Sequence, residues 1–336
     1  MKGEAILLDH GGGGRLSREL IEAEILPRFG RGPLAGLPDG ASLTSRMRRL
    51  VFTTDAYVVQ PPEFPGGNIG HLAVHGTVND LAVCGARPRW LSLAMILEEG
   101  LPLALLRRVL DGVQAAAADC GVAVVTGDTK VVPRGACDRL ALCTAGIGEA
   151  LPGFRLGPPR IRPGDAILVN GPLGDHGVAV MAAREGIGIA GAPRSDTGPV
   201  HRLVAALGEL AGQAAFLRDP TRGGLAAVLN EAARAARREV RLDEAAVPFS
   251  AGARAVAGLL GLDLFSVASE GRLALFCRAG AADAILARWR RLPEGRGAAR
   301  IGEVARGRTG RVVLATVAGG ERILDVPEGE LLPRIC

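Results

Sequence analysis

The stretch LPGFRLGPPRIRPGD, residues 151–165, holds seven prolines and glycines in fifteen positions. Neither a helix interior nor a central strand tolerates that density, because proline lacks a backbone donor and glycine resists ordering. It reads as a boundary, and a separate series of alternating strand and helix signals lies on either side. At 336 residues the chain also exceeds what one hydrophobic core usually serves. The expected division is a first domain over 1–150, a second over 151–325 and a flexible tail over 326–336.

The first series opens with RLVFTTDAYVV, a β-branched strand with Asp55 inside it or near its end. GGNIGHLAVHGTVNDLAVCG follows as a glycine-rich entry to a helix ending at Gly85, and RWLSLAMILEEG reads as a strand. In PLALLRRVLDGVQAAAADCG, Leu106, Val109, Leu110, Val113, Ala117 and Cys120 share one face at 3.6-residue spacing, and Gly121 closes the helix. VAVVTGDTK predicts a buried strand running into a tight loop, and RLALCTAGIGEA another strand. The second series runs from the strand AILVNG through the helices HGVAVMAAREG and VHRLVAALGEL to the loop FLRDPTRGG. The helix LAAVLNEAARAARRE and the strands RLALFCR, IGEVA and RVVLATV complete it.

Apolar residues at 48% and charged residues at 22% describe a globular chain. No apolar run reaches the ~18 residues of a spanning helix. The opening MKGEAILLDHGGGG has too short an apolar stretch for a secretory signal, so a cytoplasmic protein is expected. The six cysteines form no CxxC pair and suggest neither disulfides nor a zinc knuckle. Five read as small buried hydrophobes, while Cys336 is the last residue and has no core to enter. The net charge of +5 is spread along the chain without aromatic interleaving, so no nucleic-acid partner is expected.

Among forty basic residues only Lys2 and Lys130 are lysine. A lysine kept inside an arginine-rich chain points to a position that needs a compact ammonium. Aspartates recur beside strands: Asp39 in LPDGASL, Asp55 in FTTDAY, Asp80 in TVNDLA, Asp128 in TGDTK and Asp219 in RDPTRGG. Each alone could be a turn or capping residue. Together with Lys130 and glycine-rich turns able to cradle phosphate, they suggest a nucleotide site with Mg²⁺. No Walker or Rossmann fingerprint is present. His71 and His75 have zinc-like i, i+4 spacing but no third ligand at a recognisable distance, and read as an exposed helical face.

Read in order, FTTDAYVV, FPGGNIGHLAVHGTVNDLAVCGA, ILEEGLP, VTGDTKVVPRG, GPLGDHG, RDPTRGG, the SEG at Ser269–Gly271 and the terminal PRIC resemble the HypE family of hydrogenase maturation factors. The likeness runs along nearly the whole chain. It lies within the superfamily of aminoimidazole ribonucleotide synthetase, selenophosphate synthetase and thiamine monophosphate kinase. The resemblance implies a two-domain α+β fold, a homodimer joined through its N-terminal domains, and ATP with Mg²⁺. It implies that Asp39, Asp55, Asp80 and Asp219 hold Mg²⁺ and ATP, and that Asp128, Thr129 and Lys130 meet the phosphates. Glu270 is the implied base, although Ser269 stands where the family often has asparagine. The carbamoyltransferase HypF would load a carbamoyl group on Cys336. ATP-dependent dehydration would then give a thiocyanate, whose cyanide passes to iron on the HypC–HypD complex for a [NiFe] hydrogenase.

That chemistry accounts for the residue types. Amide oxygen is a poor leaving group until ATP converts it to phosphate, and a base must then strip the nitrogen-bound protons. Sulfur suits a carrier that is loaded and later unloaded. Two other readings use the same motifs: a small-molecule kinase or synthetase with a passive tail, and a scaffold whose PRIC segment is a docking peptide.

Overall fold

The computed structural model describes residues 5–11, 15–30, 43, 49–186 and 191–326. Asp39 and Cys336 lie outside the described residues. Helices α1 (Arg15–Leu20) and α2 (Leu26–Phe29) precede β1 (Leu50–Tyr57), the short β2 (Glu63–Phe64) and β3 (Gly67–Asn68), and α3 (Ile69–Val83). Then come β4 (Ala86–Glu98), α4 (Leu103–Cys120), β5 (Ala123–Val132) and β6 (Leu140–Ala150).

β1, β6, β4 and β5 form one sheet in that order, antiparallel except for the parallel β4–β5 pair. Every second residue of β4 (Leu91, Leu93, Met95, Leu97) joins Leu106, Val109, Leu110 and Val113 of α4 in one core. This is the period-2 strand face meeting the period-3.6 helix face read from the sequence. Burying each of these side chains contributes about 1.5–3 kcal/mol. Gly121 ends α4 with φ +66°, a left-handed cap that glycine adopts without a Cβ clash. On the opposite face of the sheet Phe52 is 68% exposed.

The second part comprises β7 (Ala166–Val169), α5 (Asp175–Arg184), α6 (His201–Ala205), β8 (Ala214–Arg218), α7 (Gly224–Ala236), β9 (Val240–Asp243) and α8 (Ala251–Leu260). It continues with β10 (Ala274–Cys277), α9 (Ala279–Trp289), β11 (Ala299–Val304), β12 (Val312–Ala315) and β13 (Glu321–Ile323). These seven strands make a sheet in the order β13-β12-β9-β11-β7-β10-β8. Both of its faces are covered. Ile167 and Val169 of β7 pack with Leu225 and Leu229 of α7, while Ala166 and Leu168 pack with Leu203, Ile285 and Trp289. Ala82 and Val83, at the end of α3, belong to the latter core, so α3 ties the two sheets together.

Three expectations need correction. Of the five cysteines read as buried, only Cys120 and Cys277 are; Cys84 is exposed at the end of α3, and Cys137 and Cys143 are half-buried. TGDTK does not turn: β5 runs unbroken through Asp128, Thr129 and Lys130, paired with Ala94, Met95 and Ile96 of β4. Parallel pairing with β4 supplies the backbone partners that a loop would lack. Nor do His71 and His75 form an exposed face. His75 is buried and His71 half-buried, because α3 is covered on nearly all sides.

Candidate active site

Asp55 projects from β1, Asp80 from the last turn of α3, Asp219 from the loop after β8, and Glu270 from the segment before β10. They converge on one small cavity of about 30 Å³, lined also by Ala56, Tyr57, Gly76, Thr221 and Arg222. Asp55 and Asp80 are half-buried, whereas Asp219, Glu270 and Tyr57 are buried. Four carboxylates therefore surround a space whose lining includes one cation, Arg222.

The electrostatic consequence is direct. Burial, reinforced by Asp80, pushes the Asp219 carboxyl up to about 7. Burial and then Asp219 drive Glu270 well above the usual carboxylate range. Asp80 is raised by burial, against a hydrogen bond that its Oδ2 accepts from Thr53 Oγ1 at 2.9 Å. Carboxylates so hard to ionise form a site that gains from a cation.

Mg²⁺ fits this donor set, which is all hard oxygen. Among the described residues no three of these carboxylates bring oxygens within 4.8 Å of one another. That spread suits an ion completed by phosphate and water rather than one caged by protein.

Three residues that the motif reading did not single out hold this geometry. Asn79, buried on α3 beside Asp80, donates through Nδ2 to the carbonyls of Glu270 (2.9 Å) and Gly198 (3.0 Å). Its Oδ1 accepts from Val200 N at 2.8 Å, so the amide is fully used. Asp196 Oδ1 accepts from Glu270 N at 3.0 Å, and its other oxygen faces Arg272 Nε at 3.5 Å. Ser269, already named in the SEG segment, adds to their work: its N donates to Pro220 O at 2.9 Å, and its Oγ accepts from Gly174 N at 2.7 Å. Glu270 and the Asp219 loop are thereby fixed to each other. The third is Tyr57, whose ring lies against Gly76. A polar Asn79 in a helix with no solvent face was the available signal, since buried amides require partners.

Asp128, Thr129 and Lys130 are not part of this cavity. They rim another of about 300 Å³, floored by Leu93, Met95 and Val124 and bounded by Ile21, Ile25 and Phe29. The register states the separation: Asp55 lies opposite Thr144, Thr144 opposite Leu93, and Leu93 opposite Gly127. β1 and β5 are the two edges of the sheet, about 14 Å apart at three strand spacings.

His75, Asp119 and Cys120 bring ligand atoms within 4.8 Å of one another. Arg202, however, donates Nη1 to Asp119 Oδ1 at 3.2 Å and Nη2 to Oδ2 at 3.0 Å. A guanidinium already neutralises that carboxylate and would repel a second cation. Burial, aided by His71, keeps His75 neutral by lowering it to about 4, and pushes the Cys120 thiol up to about 12. The group is structural.

A two-sheet fold with an acid-lined cavity between its halves is the architecture, and comparison assigns its class. Residues 38–150 match the family described as AIR synthase related protein, N-terminal domain, and residues 162–315 match the corresponding C-terminal domain. The carbamoyl dehydratase HypE of Rhodobacter capsulatus is 46% identical over 341 residues, covering 100% of this chain and 99% of that protein. HypE of Escherichia coli K12 is 44% identical, with 98% and 99% covered. A crystal structure of HypE in complex with ATP superposes with a TM-score of 0.94 at 46% identity, covering 98% of this chain and 99% of that one. HypE in a HypE–HypF complex gives 0.80 at 35% identity, covering 94% and 100%. The chain belongs to the HypE family.

Among the described residues no helix is long and apolar enough to cross a membrane.

Proposed function

We propose that this chain is an ATP-dependent carbamoyl dehydratase that converts an S-carbamoyl group on Cys336 to a thiocyanate. The observation that carries this reading is the acid-lined cavity between the two halves, in a chain matched end to end by proteins named carbamoyl dehydratase HypE. The carbamoyl oxygen attacks the γ-phosphorus of ATP, forming a C–O–P link and releasing ADP. Glu270 in its ionised form takes one nitrogen-bound proton, and the burial that raises its proton affinity makes that form a strong base. The C–O bond then breaks as C≡N forms, and the second proton leaves with phosphate. Bound Mg²⁺, held by Asp55, Asp80 and Asp219 with Asp39, would supply charge neutralisation at the phosphates.

Lys130 suits the transferred phosphoryl group, with Asp128 and Thr129 beside it. Its place on the sheet edge opposite Asp55 favours a homodimer in which Lys130 of the partner subunit completes the site. The exposed Leu50 and Phe52 on β1 give such a dimer apolar surface to bury. In this reading 1–150 binds ATP and dimerises, 151–325 carries Asp219 and Glu270, and 326–336 delivers Cys336. HypF loads the carbamoyl group, HypC–HypD receives the cyanide for an Fe(CN)₂CO centre of a [NiFe] hydrogenase, and the setting is cytoplasmic.

The test is mass spectrometry of the C-terminal peptide after carbamoylated protein is given Mg-ATP. The peptide becomes lighter by one water; an unchanged mass despite bound nucleotide overturns the reading. Removing Cys336 abolishes this reaction but would spare a small-molecule kinase.

A further inference from the structure

Two buried side-chain atoms in the acid-lined cavity have no hydrogen-bond partner: the Tyr57 hydroxyl and Glu270 Oε1. Their residues are 2% and 3% exposed. Leaving such atoms unpaired costs about 1–3 kcal/mol each. Inside a cavity, such a cost is offset when a ligand, an ion or water completes the pair.

Tyr57 cannot turn away to relieve it. Its strand position is fixed by pairing with Leu142, and a Cβ on Gly76 would lie 2.2 Å from its hydroxyl. The ring is thus seated against a helix face that only glycine leaves open. Asp55 and Thr77 flank the hydroxyl, and Thr77 Oγ1 is already committed to Ala73 O and Thr144 Oγ1. Asp55 is the neighbour toward which the phenolic proton turns when a ligand engages the oxygen.

The cavity of about 30 Å³ has room for roughly two waters. That excludes a nucleotide and matches the carbon, oxygen and nitrogen of a carbamoyl head. The deeper wall carries Tyr57, Glu270 and Asp219, and the half-buried Asp55 and Asp80 stand nearer solvent.

We propose that Tyr57 is a substrate-positioning residue: its phenolic oxygen accepts one N–H of the carbamoyl group while Glu270 accepts the other. The inference rests on the dehydratase reading. An NH₂ group has two donors, and the inner wall offers two oxygens without a partner, the Tyr57 hydroxyl and Glu270 Oε1. The carbonyl oxygen accepts only, so it is turned outward, toward the phosphoryl donor. Tyr57 and Glu270 together select a primary carbamoyl group, because a thioester without N–H leaves both acceptors unpaired.

The experiment uses full-length Tyr57→Phe protein carbamoylated on Cys336. It follows single-turnover water loss at saturating Mg-ATP, with nucleotide affinity and Tm measured alongside. The expected result is a rate about 10- to 100-fold below wild type, with unchanged ATP affinity and a Tm equal to or above wild type. Phenylalanine keeps the ring and removes the unpaired hydroxyl, so a slow variant is not a misfolded one. A rate within about twofold of wild type overturns the proposal, as does a loss of ATP affinity that tracks the rate. Wild-type protein that binds ATP but keeps its carbamoyl group sinks the functional reading, and this inference with it.

Discussion

Asn79 and Glu270 are 191 residues apart in sequence, yet the Asn79 amide donates to the Glu270 carbonyl at 2.9 Å. The same amide holds Gly198 and Val200, so one side chain of α3 fixes the segment that carries the proposed base. Asn79→Ala leaves three backbone groups without a partner inside the protein. A loss of about 2–5 kcal/mol is expected, with dehydration falling further than stability because Glu270 shifts. Urea unfolding and the peptide-mass assay check the two effects; a variant unchanged in both would show that Glu270 is held without Asn79.

The acid cluster predicts an unusual pH response. Asp219 has an ordinary value of 3.8 and stands at about 7 in the fold, so the folded state binds its proton more tightly than the unfolded state. Its contribution is therefore favourable at low pH and is lost as pH rises from about 4 through about 7. Relative to wild type, Asp219→Asn should be little changed at pH 5 and several degrees more stable at pH 8 without metal. Mg²⁺ should stabilise wild type at pH 8 far more than at pH 5, and Asp219→Asn little at either. Thermal melts at the two pH values check this.

Gly76 faces the Tyr57 ring so closely that a Cβ would lie 2.2 Å from the hydroxyl and 3.0 Å from Cζ. Gly76→Ala should cost about 1–3 kcal/mol and slow dehydration by displacing Tyr57. The Tyr57→Phe background removes the closest clash, so the same substitution should cost less there. A double-mutant cycle by chemical denaturation measures the difference; strict additivity would show that the two residues do not share the strain.

If Lys130 serves the partner subunit's cavity, Lys130→Ala and Glu270→Gln homodimers should each be inactive. Mixing them under subunit exchange should restore activity, since each heterodimer then has one intact site. With random exchange the recovery is about a quarter of wild type. Failure to complement, with exchange verified by tagged subunits, would place Lys130 in its own chain's site.

Much of this protein was written locally. The α4 face from Leu106 to Cys120, the Gly121 cap and the strand around Asp55 follow from spacing and turn chemistry within a few residues. So did the acidic residues beside strands, and the ordered motifs that resemble the HypE family. Local signals misjudged TGDTK and the α3 histidines. A glycine and an aspartate suggest a turn until a parallel neighbour supplies hydrogen bonds, and histidine spacing cannot reveal that a helix is covered on nearly all sides.

What the sequence by itself determined is many of the strands and helices, β1, α3, α4 and α7 among them, and which residue types could bind nucleotide, because periodicity, capping and turn preferences act over a handful of residues. Only the tertiary structure decided which of those residues meet. Asp55, Asp80, Asp219 and Glu270 share one cavity, Lys130 lies across the sheet, and Tyr57 and Asn79 join the site although the motifs that contain them pointed only to the aspartates beside them. Convergence of that kind depends on the packing of α3 between two sheets, a long-range arrangement of burial and hydrogen bonding that no short stretch of chain can encode.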